Sequence, residues 1–167
     1  MMQAIAQGID HFNEHLGRAA AWLTLGMVVL MFITVVQRYL FASGMSWEQE
    51  LVRFFHGMVF LAAAGYTLKH NGHVRVDVVY QRLSERRQAW INLAGTVVFL
   101  WPVCAALFWF STDFVLNAWA IYEGSNEYQG MPGVFIYKTF IWVFCGTLAL
   151  QGISTCLHSF HTLRHSK

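Results

Sequence analysis

The sequence predicts an all-α integral membrane protein, a single domain over residues 1–167 with four transmembrane helices, and three observations carry that prediction. Of 167 residues, 56% are hydrophobic and only 12% charged, against roughly 25% charged in a soluble domain, and 14 Phe and 7 Trp are present. Four stretches, approximately 17–40, 47–69, 87–115 and 133–159, are apolar and long enough to cross a bilayer as helices. The basic residues are grouped by side: Arg18, Lys69, Arg75, Arg82, Arg86, Arg87, Arg164 and Lys167 against Arg38, Arg53 and Lys138. That asymmetry predicts that the N and C termini and the polar middle connection are cytoplasmic. A net charge of +2 is too small to imply nucleic acid.

Residues 1–18 carry Ile5, Ile9, Phe12 and Leu16 at helical spacing, which predicts a stretch lying along the membrane surface before the chain turns in. It lacks a basic start and an AxA-like cleavage pattern, and the apolar run after it outlasts a signal h-region, so it is not read as a signal peptide. Residues 19–37 are uncharged and reach about 29 Å as a helix, one crossing, closed by Arg38 and Tyr39 at an interface.

The second span opens with SWEQELVRFF. Ser46 followed by Gln49 reads as a capping box, and Glu48 and Glu50 fall in the first turn, where the helix dipole favours negative charge. Gln49, Glu50, Arg53 and His56 share one side. An ionisable group left in hydrocarbon costs roughly 2.5 to 3.5 kcal/mol, so this side is expected to be covered by a second polypeptide. Gly57, Ala62, Ala63, Ala64 and Gly65 offer a close-packing surface for another helix, and Asn71-Gly72 marks the turn after it.

Residues 72–88, GHVRVDVVYQRLSERRQ, predict a short amphipathic cytoplasmic helix between spans two and three, then a restart capped by Ser84. A strand over HVRVDV would leave backbone groups unpaired beside a bilayer. The third span is uncharged over residues 89–112, runs on towards Trp119 with Asp113 near its boundary, and contains Pro102, whose ring predicts a kink. A loop rich in Gly and turn residues leads to the fourth span, with Pro132 at its start. Cys104, Cys145 and Cys156 lie in apolar runs without CxxC spacing and read as packed or lipid-facing residues.

Eight histidines raise the possibility of a haem-binding anchor, which needs paired imidazoles from facing helices; His56 is the one histidine well inside a span. His158, His161 and His165 share a helical face, for which a hydrated interfacial tail is a simpler reading than a metal site, and His70 and His73 flank a turn. GxSxG, HExxH and Gly-rich phosphate loops are missing, which argues against an enzyme. The internal repeats and interrupted helices of a self-sufficient transporter are missing too, so the chain is expected to serve a larger assembly, with no cofactor of its own.

The run holding Trp47, Glu48, Glu50 and Arg53, followed by His73, Val74, Val76 and Asp77 and a basic stretch, resembles the small membrane subunit (Q, or DctQ-type) of tripartite ATP-independent periplasmic (TRAP) transporters. The likeness extends through all four spans, including the Gly-Pro rich start of the last helix and Leu150-Gln151-Gly152 within it. The EGSNEYQGMPGVFIYK loop is similar to the branch associated with organic acids such as lactate, 2-oxo acids or chloroaromatic acids. The resemblance implies a bacterial inner-membrane protein paired with a large M (DctM-type) subunit that holds the substrate and sodium sites and moves as an elevator. It also implies a periplasmic substrate-binding protein. Carried onto this sequence, it makes Trp47, Glu48, Glu50, Arg53, His56, Gly57, Gly65, His73 and Asp77 candidates for the subunit interface. Trp119, Tyr122, Glu123, Glu127 and Tyr128 become candidates for docking the binding protein.

Plainer readings stand beside these. Glu50 with Arg53 reads equally as an ion pair within one helix, His73 with Asp77 as the start of a surface helix, and Trp47, Trp119 and Tyr122 as interface anchors. The alternative to a TRAP subunit is a haem-binding or structural membrane anchor of another complex.

Overall fold

A computed structural model describes residues 2–73 and 80–165, all of them in helices, turns or loops. Helix α1 spans Met2–Phe41, and the second span consists of α2 (Ser46–Ala62) and α3 (Ala64–Lys69). The third consists of α4 (Glu85–Gly95), a π-helical turn (Thr96–Leu100) and α5 (Trp101–Ala120), and the fourth is α6 (Val134–His165). Four helical units are long and apolar enough to cross a membrane, which makes this an integral membrane protein.

The expected bend between a surface stretch and the first span is not there: α1 is one helix of 40 residues. Ala6, Asn13, Gly17 and Ala20 are buried along it, so one narrow face packs from the first turns onward and nothing interrupts the backbone ladder. Such a helix is about 60 Å long, twice the roughly 30 Å of bilayer hydrocarbon.

Helix α2 starts where the sequence places it, but without the capping box. Met45 takes the extended N-cap conformation and Ser46 is already helical, so the Ser46 hydroxyl makes no cap hydrogen bond. Ala63, with ψ −1°, separates α2 from α3, yet Ala63 N–H to Val59 O (3.0 Å) and Thr67 N–H to Ala63 O (2.9 Å) carry the ladder across. At the Asn71-Gly72 turn it is Asn71 that takes the left-handed conformation (φ 53°), while Gly72 N–H closes on Thr67 O at 2.8 Å. Residues 74–79 of the expected amphipathic helix, Asp77 among them, lie outside the described residues. Ser84 is the N-cap of α4 by backbone conformation only; the Gln88 amide reaches back to Leu83 O (3.0 Å) and Tyr80 O (3.2 Å) and closes that turn.

Pro102 acts through hydrogen bonding. It has no N–H to donate to the previous turn, and the backbone ahead of it widens so that Trp101 N–H bonds to Thr96 O. The helix then continues to Ala120.

Helix α6 is the centre of the bundle and packs against every other helix among the described residues. Ala64, Cys104, Cys145 and Leu148 form a buried cluster, with Leu68, Leu100 and Phe144 against it, so at least two of the cysteines are packing residues. Large apolar side chains such as Trp22, Phe32, Phe99 and Phe110 point outward, the surface a lipid environment solvates. The fourth helix begins at Val134, two residues beyond Pro132.

Candidate functional site

Polar groups gather at the two ends of α6. At the end away from the termini, the first turns of α2 meet the loop of residues 121–133. Glu50, buried to 6% exposure, accepts a hydrogen bond from the Ser125 hydroxyl and another from Met131 N–H at 2.7 Å. Arg53, one turn on, lies 3.6 Å from Glu50, with its side chain 67% exposed. Lys138 pairs with Glu123 at 2.5 Å and lies 3.8 Å above the centre of the Phe114 ring. The Trp119 indole donates to Thr139 Oγ1 at 2.8 Å, and Phe54 stacks on Tyr137 with ring centres 4.6 Å apart. Glu50, Arg53, Phe54, Ser125 and Tyr137 border a groove of about 390 Å³.

This geometry corrects part of the sequence reading. Glu50 is covered by a loop of its own chain and needs no second polypeptide for that. Gly57 is also occupied from within, since a Cβ there would lie 2.6 Å from Tyr137 Cε2. At Gly65 a Cβ would lie 2.7 Å from Asn13 Oδ1 and 3.0 Å from Thr147 Cβ. The surface these glycines offer is filled by α6 and α1. Glu48 is buried and its Oε2 has no hydrogen-bond partner among the described residues. Trp47 donates to the sulfur of Met45, while Arg53, His56 and His73 are exposed. Of the docking candidates, Trp119 and Glu123 are engaged with α6, and Tyr122, Glu127 and Tyr128 are exposed on the loop.

A second cluster, at the end carrying the termini, ties α1 to α3 and α6. Asn13 donates to Gln151 Oε1 at 2.7 Å, Gln151 donates to Asp10 Oδ1 at 2.9 Å, and the Ser154 hydroxyl donates to the same oxygen at 2.6 Å. His158 Nε2 lies 3.1 Å from Asp10 Oδ2. Burial works against ionisation of Asp10, but hydrogen bonds from Ser154, Gln151 and His158 outweigh it and hold the carboxyl below its ordinary value. Glu14 pairs with Lys69 at 2.7 Å, His70 at 2.8 Å and Arg18 at 3.0 Å. These contacts, Lys69 and His70 first, lower its pKa from 4.5 to about 2.

The sequence reading missed this cluster, although its signal is in the sequence. Asp10, Asn13 and Gly17 lie on one face of α1, and Thr147, Gln151, Ser154 and His158 form a polar stripe along an otherwise apolar span. One consequence is measurable. A carboxyl with a folded pKa below its unfolded value contributes stability above the unfolded pKa and loses it as pH falls through the folded one. The thermal midpoint in detergent is therefore expected to hold above about pH 4.5 and to fall towards pH 2, with Glu14→Gln showing a shallower fall. Identical acid profiles for both proteins contradict the assignment.

Among the described residues, no three His, Cys, Asp or Glu side chains converge to hold a metal ion; His11 and His15, 2.8 Å apart at their Nε2 atoms, are a pair. What both clusters do is fix geometry: one joins helices, the other fastens a loop.

The fold and its two clusters define a small polytopic membrane protein whose buried polar groups knit its own parts together. Residues 27–162 match the family described as tripartite ATP-independent periplasmic transporters, DctQ component. The chain belongs to that family, and it is the small membrane component of a TRAP transporter. The match covers three spans and most of the crossing part of α1, and leaves Asp10, Asn13 and Glu14 outside it. No curated protein and no solved structure matches the chain. A family of transporter components favours neither an enzyme nor a haem anchor.

Proposed function

We propose that this chain is the non-catalytic small permease subunit of a sodium-coupled TRAP transporter in the bacterial inner membrane. In this reading it scaffolds a large M (DctM-type) subunit and helps a periplasmic binding protein to dock for uptake of an organic acid. The family match over residues 27–162 carries the reading. Sodium and substrate sites then belong to the large subunit. The excess of Lys and Arg at the end holding the termini supports a cytoplasmic position for that end. Loop 121–133 then faces the periplasm, with Tyr122, Glu127 and Tyr128 available to a soluble partner. Arg53 and His56, exposed at the mouth of the second span, remain polar candidates for contact with the large subunit, as do Glu48, His73 and Asp77.

Co-expression with the large subunit tests this. The two are expected to purify together through a tag on either one, and proteoliposomes containing both are expected to take up an organic acid only with the binding protein and an inward sodium gradient. Recovery as a stable lone species, together with full uptake in its absence, refutes the scaffold role.

A further inference from the structure

The geometry points to Glu50 as a positioning residue: it sets the shape of the loop against which the binding protein docks, and it does so without touching the large subunit. The inference rests on the docking reading above. Its basis is a three-way tie at the neck of the loop. Ser125 N–H donates to Met131 O at 2.9 Å, joining the two sides of the neck, and Glu50 reaches up from α2 to take the Ser125 hydroxyl and Met131 N–H. Within the neck, Glu127 N–H donates to Ser125 Oγ at 3.1 Å and Gly130 N–H to Glu127 O at 3.0 Å, so residues 125–131 form a closed ring. The ring is tight: a Cβ on Gly130 would lie 2.8 Å from Glu50 Oε2 and 2.5 Å from Ser125 Cβ.

Two further features bear on this tie. Gln129 has φ of 54°, a left-handed conformation uncommon for residues other than glycine, at the turn that Gly130 N–H closes on Glu127 O inside the ring. A buried carboxylate accepting an O–H and an N–H supplies bonds roughly twice as strong as neutral ones. The loop displays Tyr128, 84% exposed, with exposed Glu127 beside it in sequence, and Tyr122, 71% exposed, ahead of the ring. Exposed aromatic side chains with an acidic residue next to one of them suit a soluble protein face that offers apolar pockets and a basic residue. Fixing them beforehand removes an ordering cost from association.

The test uses the complex with the large subunit in nanodiscs and a fluorescently labelled binding protein. Glu50→Ala is expected to weaken binding by about tenfold or more, the loss of bonds to a charged group. It is also expected to speed hydrogen exchange at the Met131 amide and to leave co-purification of the large subunit unchanged. Ser125→Ala, a milder change, is expected to move both readouts in the same direction. Glu50→Gln, which keeps an oxygen acceptor for Met131 N–H, is expected to stay within about threefold of wild type.

Faster exchange at Met131 with unchanged affinity overturns the role of Glu50, and so does loss of the large subunit from the Glu50→Ala complex. Tyr122→Ala with Tyr128→Ala tests the docking reading separately. No effect of this pair refutes docking at the loop; an effect of the pair with none from Glu50→Ala refutes the positioning role alone.

Discussion

Replacing Gly57 with leucine is expected to lower the unfolding midpoint of the detergent-solubilised protein by about 10 °C, from an overpacking cost of about 3 kcal/mol. The first added atom already collides: a Cβ at this position would lie 2.6 Å from Tyr137 Cε2 and 2.7 Å from Tyr137 Cζ. Tyr137 has little freedom to withdraw, because its ring stacks on Phe54 with a 5° interplanar angle. Two packed spans, α2 and α6, must therefore separate or the ring must leave its stack. Glycine is needed here for close approach and not for backbone freedom. Adding Tyr137→Leu to the Gly57→Leu chain should restore part of the midpoint, since the obstacle is that ring. A variant pair in which the second change gives no recovery would place the cost elsewhere.

Gln151→Leu is expected to cost about 2 kcal/mol, read as a fall in the same midpoint. Interhelical hydrogen bonds in membrane proteins average only about 0.6 kcal/mol, so the bonds themselves do not decide the outcome. The groups left behind do. Asn13 Nδ2 would keep only Thr147 O at 3.4 Å, and Asp10 would lose one of the donors that offset its burial. Leaving a buried polar group unmatched costs about 1–3 kcal/mol, which is the larger effect. Asn13→Leu combined with Gln151→Leu should then cost clearly less than the two single changes added together, because the orphaned amide is gone. Simple additivity of the two would show that the pair does not interact.

The spans were legible because apolar length is a local property, and so were the start of α2 at Ser46, the turn at Asn71 and the restart at Ser84. The caps were not, because whether a serine hydroxyl caps a helix depends on one residue of register: Met45 took the cap position and left Ser46 inside the helix. The continuity of α1 was hidden because a helix lying on a membrane and one packed against a neighbour show the same apolar spacing. The candidate site was half visible. Glu50 and Arg53 stood out as charges beside an apolar span, but the partners of Glu50 are 75 and 81 residues away, beyond any periodic pattern. The Asp10–Gln151 tie spans 141 residues and needed a facing helix to be known first. In each case the chemistry of the residue was readable and the identity of its partner was not.

The widened turn before Pro102 also sets the phase of everything after it. Each helical residue advances about 100° around the axis, so a turn that accommodates one surplus residue rotates the downstream half by roughly that angle. Cys104, Val115 and Ala118 are buried, and the Trp101 indole reaches Ala149 O at 3.3 Å, in the orientation that this offset produces. Deleting a single residue between Thr96 and Leu100 would straighten the ladder and at the same time swing the wrong flank of Trp101–Ala120 towards α6. A count of one residue, more than the chemistry of any side chain in that turn, keeps the two halves of this span aimed at the same neighbour.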